Sequence, residues 1–357
     1  QNIGRGGSPP RAPGLSTSPP PARVLVARSS HLGDVAQTIP LVHALRSAFP
    51  GARVAWAIQP AFAPLVAPLV DAVVPFERDG GARAWPRIRR AMRAFGADLA
   101  VDAQGNWKSA MVVRLSGAQR RVGCARAAWQ EPLAARVLGV SGATAADAPH
   151  LVDRLMAVAA SVGAPAAPPR LDPALTGDEL RAGFEALEAL SPGAGRAPLL
   201  LHPGVPGDPR TWPSERYAAL LERFGPHSDR APIVVTGPAE ADVGARLDAL
   251  DRCGAAAHLV GQSDVRALCA LFHAARQRGG VLVAQDSGPA HLAASVGLGV
   301  RLLAGPEDPS RTGPWPVCGA VDSPHRLVRP PADWRPGAPW TRRPIESIEP
   351  EDVLAAL

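Results

Sequence analysis

Short, unbroken apolar runs recur along this 357-residue chain, each followed by a stretch in which apolar residues return every three or four positions. In the first such unit, Val24-Leu25-Val26-Ala27 reads as a buried strand, and Val35, Ile39, Val42, Leu45 and Phe49 then keep helical spacing. Further runs stand at 54–58, 72–76 and 98–101, and later at 199–201, 233–235, 258–260, 281–283 and 300–304. Continuous apolar runs alternating with helices predict parallel sheets covered on both faces. Between the two groups, 163–173 and 191–198 are rich in Pro, Gly and Ala and bracket a helical segment near 177–190. The pattern thus predicts an α/β protein of two Rossmann-like domains. Its parts are a Pro/Gly-rich disordered tail over 1–22, a first domain over 23–175, a linker over 176–197, a second domain over 198–345 and a C-terminal helix over 346–357.

Composition narrows this picture. Aromatic residues make up only 4% of the chain, so the cores must be built mainly from Ala, Val and Leu. No stretch approaches the roughly 18 apolar residues that a bilayer span needs, and residues 1–21 lack the apolar centre of a signal peptide. The chain begins at Gln1 rather than Met, which leaves an upstream segment open. Cys124, Cys253, Cys269 and Cys318 show neither C-x-x-C pairing nor zinc-finger spacing, and read as scattered reduced thiols. The net charge of +6 is uneven: residues 1–178 carry 20 Lys and Arg against 11 Asp and Glu, whereas 179–357 carry 18 against 21. A basic first half predicts an anionic partner for that half.

The candidate chemistry sits where strands end. In Ser29-Ser30-His31-Leu32-Gly33-Asp34, the aspartate falls between the first strand and the first helix, at the carboxyl edge where open α/β sheets bind ligands. Asp34 also fits the simpler role of a helix N-cap. Asp286-Ser287-Gly288-Pro289-Ala290-His291 follows the run at 281–283, and free backbone N–H groups at Ser287 and Gly288 would suit a diphosphate. A plain capped turn is the alternative. Arg210 and Glu240 follow two other strands of the same half, placed for a phosphate and a ribose diol. Arg83, Arg87 and Arg90 share one helical face, with Arg89 and Arg93 beside it, in a segment free of acidic residues; the surface is either solvated or anion-binding. G-x-G-x-x-G, Walker A and D-x-D patterns are absent, which disfavours nicotinamide enzymes, P-loop enzymes and metal-chelating sugar-nucleotide sites.

Taken in order, these motifs resemble the lipopolysaccharide heptosyltransferases, glycosyltransferase family 9 of the GT-B type, with heptosyltransferase I the nearest branch. Ser29–Val35 looks like the family's S-x-x-G-D signature, and Asp102-Ala103-Gln104-Gly105-Asn106-Trp107-Lys108-Ser109 like its D-x-Q-G-x-x-K-S segment. Gln130-Glu131-Pro132-Leu133, His150-Leu151-Val152-Asp153-Arg154, Asp286–Leu292 and Gly305-Pro306-Glu307-Asp308-Pro309 fit later family segments. Three departures are Arg210, where the family often has lysine, Gln130, where arginine is usual, and Val205-Pro206-Gly207, which lacks the family's paired threonines. The resemblance implies two Rossmann-like domains facing a central crevice. It also implies inverting transfer of a heptose from ADP-heptose to a Kdo-lipid A acceptor, with no cofactor and no metal. Asp34 would be the base. Arg210, Glu240, Asp286, Ser287, Gly288 and His291 would hold the nucleotide sugar, and Arg83, Arg87, Arg90, Lys108 and Arg126 the anionic acceptor. The expected setting is cytoplasmic, peripheral on the inner face of the inner membrane, without nucleic acid. Another family 9 transferase, a GT-B-like sugar-nucleotide epimerase and a non-catalytic sugar-nucleotide-binding protein fit the same layout.

Overall fold

The computed structural model describes residues 19–357 apart from 78–80, 143–147, 149, 192–194, 206, 225–227, 252–255, 319, 321, 330–339, 341 and 343, and apart from the side chains of 81–84 and 126. The expected N-terminal tail, through residue 18, and Cys253 therefore lie outside the described residues; Cys124, Cys269 and Cys318 are free thiols.

Two six-stranded parallel sheets form, as the apolar runs require. The first contains β1 (Arg23–Ala27), β2 (Arg53–Ile58), β3 (Ala72–Pro75), β4 (Leu99–Asp102), β5 (Arg120–Gly123) and β6 (Ser141–Gly142), in the order β3-β2-β1-β4-β5-β6. The second contains β7 (Ala197–His202), β8 (Arg230–Val235), β9 (Ala257–Leu259), β10 (Val281–Gln285), β11 (Gly299–Leu303) and β12 (Arg326–Leu327), in the order β12-β11-β10-β7-β8-β9. Counted from its own first strand, each sheet has the same order, 3-2-1-4-5-6. The order reverses between β1 and β4 and between β7 and β10, and a crevice opens at such reversals in doubly wound sheets.

Central strands such as β1 and β10 are buried on both faces, which explains their unbroken Val, Leu and Ala runs. The strands not foreseen are β5, β6 and β12. The last two are two-residue edges, and β5 is half-buried with two arginines, so none carries the apolar run that marks a covered strand. The apolar faces that the two sheets turn toward one another merge into one cluster, from Val24 and Ile39 through Leu155 to Leu271 and Leu292. Separate clusters cover the outer face of each sheet. The helix Gly177–Leu190 starts with a Thr176/Glu179 capping box and packs on Val265–Gln277. The helix Leu32–Ala48 packs on Leu151–Ser161 of its own domain and on Gly288–Ser295 of the other. That second contact brings the two sites of interest together.

Candidate active site

β1 ends at Ala27, and the chain turns sharply at His31, whose φ of 48° is costly for a residue with a side chain. His31 is the cap position of the Leu32–Ala48 helix and makes no side-chain capping bond. Asp34 stands in the first turn, so it is not the N-cap that its sequence context allowed. Its carboxylate forms an ion pair with the guanidinium of Arg28 and lies 3.6 Å from His31 Nδ1. Arg28 is only 4% exposed, and its Nη1 donates to the carbonyl oxygen of Ala103, just past β4, at 2.5 Å. Burial alone would raise the Asp34 pKa. The charge of Arg28, hydrogen bonds from His31 and Arg28, and the charge of His291 outweigh burial and hold the carboxyl below its ordinary value. Asp34 is therefore ionised at neutral pH while still 29% exposed.

The loop after β4 is organised around Asp102. Its Oδ1 accepts from the backbone N–H of Gln104 (2.9 Å) and Gly105 (2.8 Å), and complete burial pushes its pKa up to about 6 despite those bonds. Gln104 Oε1 in turn accepts from the backbone N–H and the hydroxyl of Ser29, both at 3.0 Å. The D-x-Q-G segment thus locks the two loops at the first reversal point together.

At the second reversal point, Ser287 caps the Gly288–Ser295 helix, and its hydroxyl is buried with no hydrogen-bond partner. An unsatisfied hydroxyl beside free helix N–H groups is a ready seat for an anion. Asp286 uses both carboxylate oxygens within the protein: Oδ1 lies 3.0 Å from His291 Nε2, and Oδ2 accepts from the Thr312 hydroxyl at 2.8 Å. Arg210 is held by Asp208 through Nε (2.9 Å) and Nη2 (2.6 Å), and its Nη1 reaches the backbone oxygen of Asp286 at 3.3 Å. One oxygen of Glu240 accepts from the backbone N–H of Gly237 at 2.8 Å. Gly204 has a φ of +79°, and a side chain there would run into the Gln285 amide.

The two helix starts meet directly. A Cβ on Gly33 would collide with the His291 ring, and one on Gly288 would lie 2.9 Å from Leu32 Cβ. Gln37 Nε2 completes the contact, 3.4 Å from His291 Nε2 and 3.2 Å from the Thr312 carbonyl oxygen. Around this junction lie two clefts. The first, of about 500 Å³, runs between Asp34 and the second-domain residues Gly204, Arg210, Glu240, Ser287 and His291. The second, of about 490 Å³, is bordered by Arg28, Gln104, Gln130, Arg154, Arg311 and Arg342. Asp34, Glu307 and Thr312 line both. Asp34 therefore occupies the neck between them.

Residues 85–320 match Glycosyltransferase family 9 (heptosyltransferase). The chain belongs to glycosyltransferase family 9. It is 29% identical over 309 residues to lipopolysaccharide heptosyltransferase 1 of Pseudomonas aeruginosa, covering 82% of this chain and 81% of that protein. Among solved structures it is similar to a family 9 glycosyltransferase of Veillonella parvula (TM-score 0.78, 18% identity, 94% of this chain and 96% of that one). It is also similar to the E. coli heptosyltransferase WaaC solved with ADP-2-deoxy-2-fluoro heptose (TM-score 0.69, 22% identity, 94% and 98%). The fold is GT-B, and the protein is a glycosyltransferase of the heptosyltransferase family.

In this family 9 enzyme, all six second-domain candidates, Arg210, Glu240, Asp286, Ser287, Gly288 and His291, line the first cleft beside Asp34. The basic candidates of the first domain are not gathered with them. Arg87 and Arg90 are exposed on the Gly81–Phe95 helix, Lys108 is exposed at the start of Trp107–Ser116, and none of the three lines either cleft. Arg87 pairs with Glu77 at 3.1 Å, an acid lying just outside the segment that reads as free of them. The side chains of Arg83 and Arg126 lie outside the described residues. Arg28, Thr312, Arg311 and Arg342 were not foreseen. Arg28 precedes the recognised motif, and Arg311, in the Pro309–Thr312 helix, meets Arg154 only through the arrangement of the two domains.

Proposed function

We propose that this enzyme transfers a heptose from ADP-heptose to an anionic Kdo-lipid A type acceptor in lipopolysaccharide core synthesis, with inversion and without a metal ion. The observation that carries this reading is the position of Asp34, an ionised carboxylate at the neck between two clefts. The nucleotide sugar occupies the first cleft. Its diphosphate lies over Ser287 and Gly288 with Arg210 beside it, and the ribose hydroxyls face the free oxygen of Glu240. Asp286 and His291 shape the wall. The acceptor enters from the second cleft. Asp34 takes the proton of its hydroxyl as that oxygen attacks the anomeric carbon; the bond to the diphosphate breaks and ADP leaves from the opposite side. Helix N–H groups and an arginine stabilise the charge that grows on the leaving phosphate. An epimerase would act in the first cleft alone and leave the second without a role.

The relatives' printed names support the heptose and the lipopolysaccharide acceptor, and the E. coli structure's bound ADP-heptose analogue supports the donor. Among the described residues no helix is long and apolar enough to cross a membrane. Peripheral contact with the inner face of the inner membrane is proposed through the basic residues of the first domain, Arg83, Arg87, Arg90, Lys108 and Arg126. Leu133, 61% exposed, together with exposed Trp107 and Val137, adds an apolar edge in the same domain. The deciding experiment incubates the purified enzyme with ADP-, UDP- or GDP-sugars and a Kdo-lipid. A lipid heavier by one heptose, formed from the ADP donor and undiminished in excess EDTA, is the expected product. An absolute magnesium requirement would remove the metal-free mechanism.

A further inference from the structure

We infer that the second cleft is an oxyanion site built by both domains, in which the guanidinium groups of Arg154, Arg311 and Arg342 grip an acidic group of the acceptor close to its reacting hydroxyl. This rests on the reading of the second cleft as the acceptor's side.

Arg154 projects from the Leu151–Ser161 helix of the first domain, Arg311 from Pro309–Thr312 and Arg342 from the segment near the chain's end, and all three line the same cleft. Among the described residues none of their guanidinium groups has a carboxylate or carbonyl partner, and Arg154 Nε is buried with no hydrogen bond at all. Arg154 is half-buried, whereas Arg311 and Arg342 are exposed at the cleft mouth; by contrast Arg266 is paired with Glu179, Arg210 with Asp208 and Arg28 with Asp34. The carboxylates on the cleft wall are mostly occupied. Asp34 holds Arg28, and Asp308 accepts from the backbone N–H (2.9 Å) and hydroxyl (2.7 Å) of Ser310; only Glu307 stands exposed, at the border with the first cleft. Burial, together with the like charges of Arg311 and Arg28, pushes the Arg154 pKa below the ordinary arginine value. An incoming oxyanion would relieve that repulsion.

Guanidinium groups match carboxylate and phosphate oxygens with paired hydrogen bonds. The cleft opens at Asp34, so the anion sits on, or next to, the sugar that reacts. Because one arginine comes from the first domain and two from the second, the bound anion also ties the domains together in the arrangement seen here.

The test compares the wild type with Arg154→Gln and with the double variant Arg311→Gln/Arg342→Gln. Two probes are titrated by NMR: free Kdo, which carries a carboxylate, and glucosamine phosphate, which carries a phosphate. Charged hydrogen bonds of this kind are worth about 1.5–3 kcal/mol, so affinity for the recognised probe should fall about 10- to 150-fold in the double variant, with ADP affinity unchanged. Kdo binding that depends on the arginines assigns the site to a carboxylate. Arginine-dependent binding of glucosamine phosphate instead supports the site and assigns it to a phosphate. Equal binding in wild type and double variant, or no binding of either probe, overturns the inference. If the wild type binds Kdo through these arginines yet transfers no heptose to Kdo-lipid, the proposed function fails and the site stands.

Discussion

The two clefts that meet at Asp34 are similar in size but opposite in how they present positive charge. In the first, the one arginine on the wall is already chelated by Asp208, and what is left open is backbone N–H and the unpartnered Ser287 hydroxyl. In the second, Arg28 is paired with Asp34, but the guanidinium groups of Arg154, Arg311 and Arg342 are left open among the described residues. Fixed N–H groups select a ligand by shape and lose no side-chain freedom on binding. Unpaired arginines attract from a distance, and that attraction weakens with salt. The contrast suits a donor that must be placed to a fraction of an ångström and an acceptor that must first be captured from a charged surface.

The comparison breaks most sharply at the shared residue. Asp34→Asn keeps the shape of the side chain but removes the base. Turnover should fall by about 10²–10⁴-fold with ADP affinity nearly unchanged, while the melting temperature drops because buried Arg28 loses its counter-charge. Near-normal turnover in steady-state assays would leave Asp34 a structural partner of Arg28. Next in size is Gly33→Ala, whose new methyl group would press on the His291 ring. Overpacking of this kind costs about 1–3 kcal/mol, and a small displacement of the donor from Asp34 can lower kcat by up to about 100-fold. Calorimetry and kinetics should show both losses together; a wild-type profile would mean that the domains do not need this contact.

Arg28→Met sharpens the role of the buried cation. Without it, burial dominates at Asp34 and the carboxyl pKa rises, so the acidic limb of the kcat–pH profile should move to higher pH. The loss should be greatest at low pH and be regained as pH rises, and Arg28→Lys should restore most of the original profile. An unmoved limb would show that Arg28 acts only as packing. The smallest effect expected is that of replacing Arg83, Arg87 and Arg90 together by Gln. The acceptor KM should rise a few-fold at low ionic strength, and the difference should fade with added salt. A donor KM that changes instead would place the patch on the wrong side of the comparison.

Much of this was legible in the chain because buried strands advertise themselves. β1, β2, β7, β8 and β10 are apolar on both faces, and each lies where a continuous apolar run stands. β5 escaped because it is only half-buried and begins with two arginines, so it carries no apolar run. The first-cleft residues were readable for a similar reason, since each lies in the loop or helix start that follows a recognised strand. The meeting of Arg154 with Arg311 and Arg342 was not. Arg154 lies more than 150 positions before the other two, and no local rule of spacing links them; their convergence depends on how one sheet sits against the other. The role of Asp34 was open for a subtler reason. An aspartate three residues earlier would cap the helix, and only the turn at His31 decides that Asp34 lies within it.

That placement has an electrical consequence. The Leu32–Ala48 and Gly288–Ser295 helices point their starting ends at the same junction, and each such end behaves as roughly half a positive charge made of aligned peptide dipoles. Before the proposed reaction the negative charge rests on Asp34, in the first turn of one helix. Afterwards it has passed to the departing diphosphate, at the start of the other. The charge leaves one dipole's field as it enters the next, and neither field depends on a side chain that must swing into place. A crevice wired in this way is already polarised for the product when the substrates arrive.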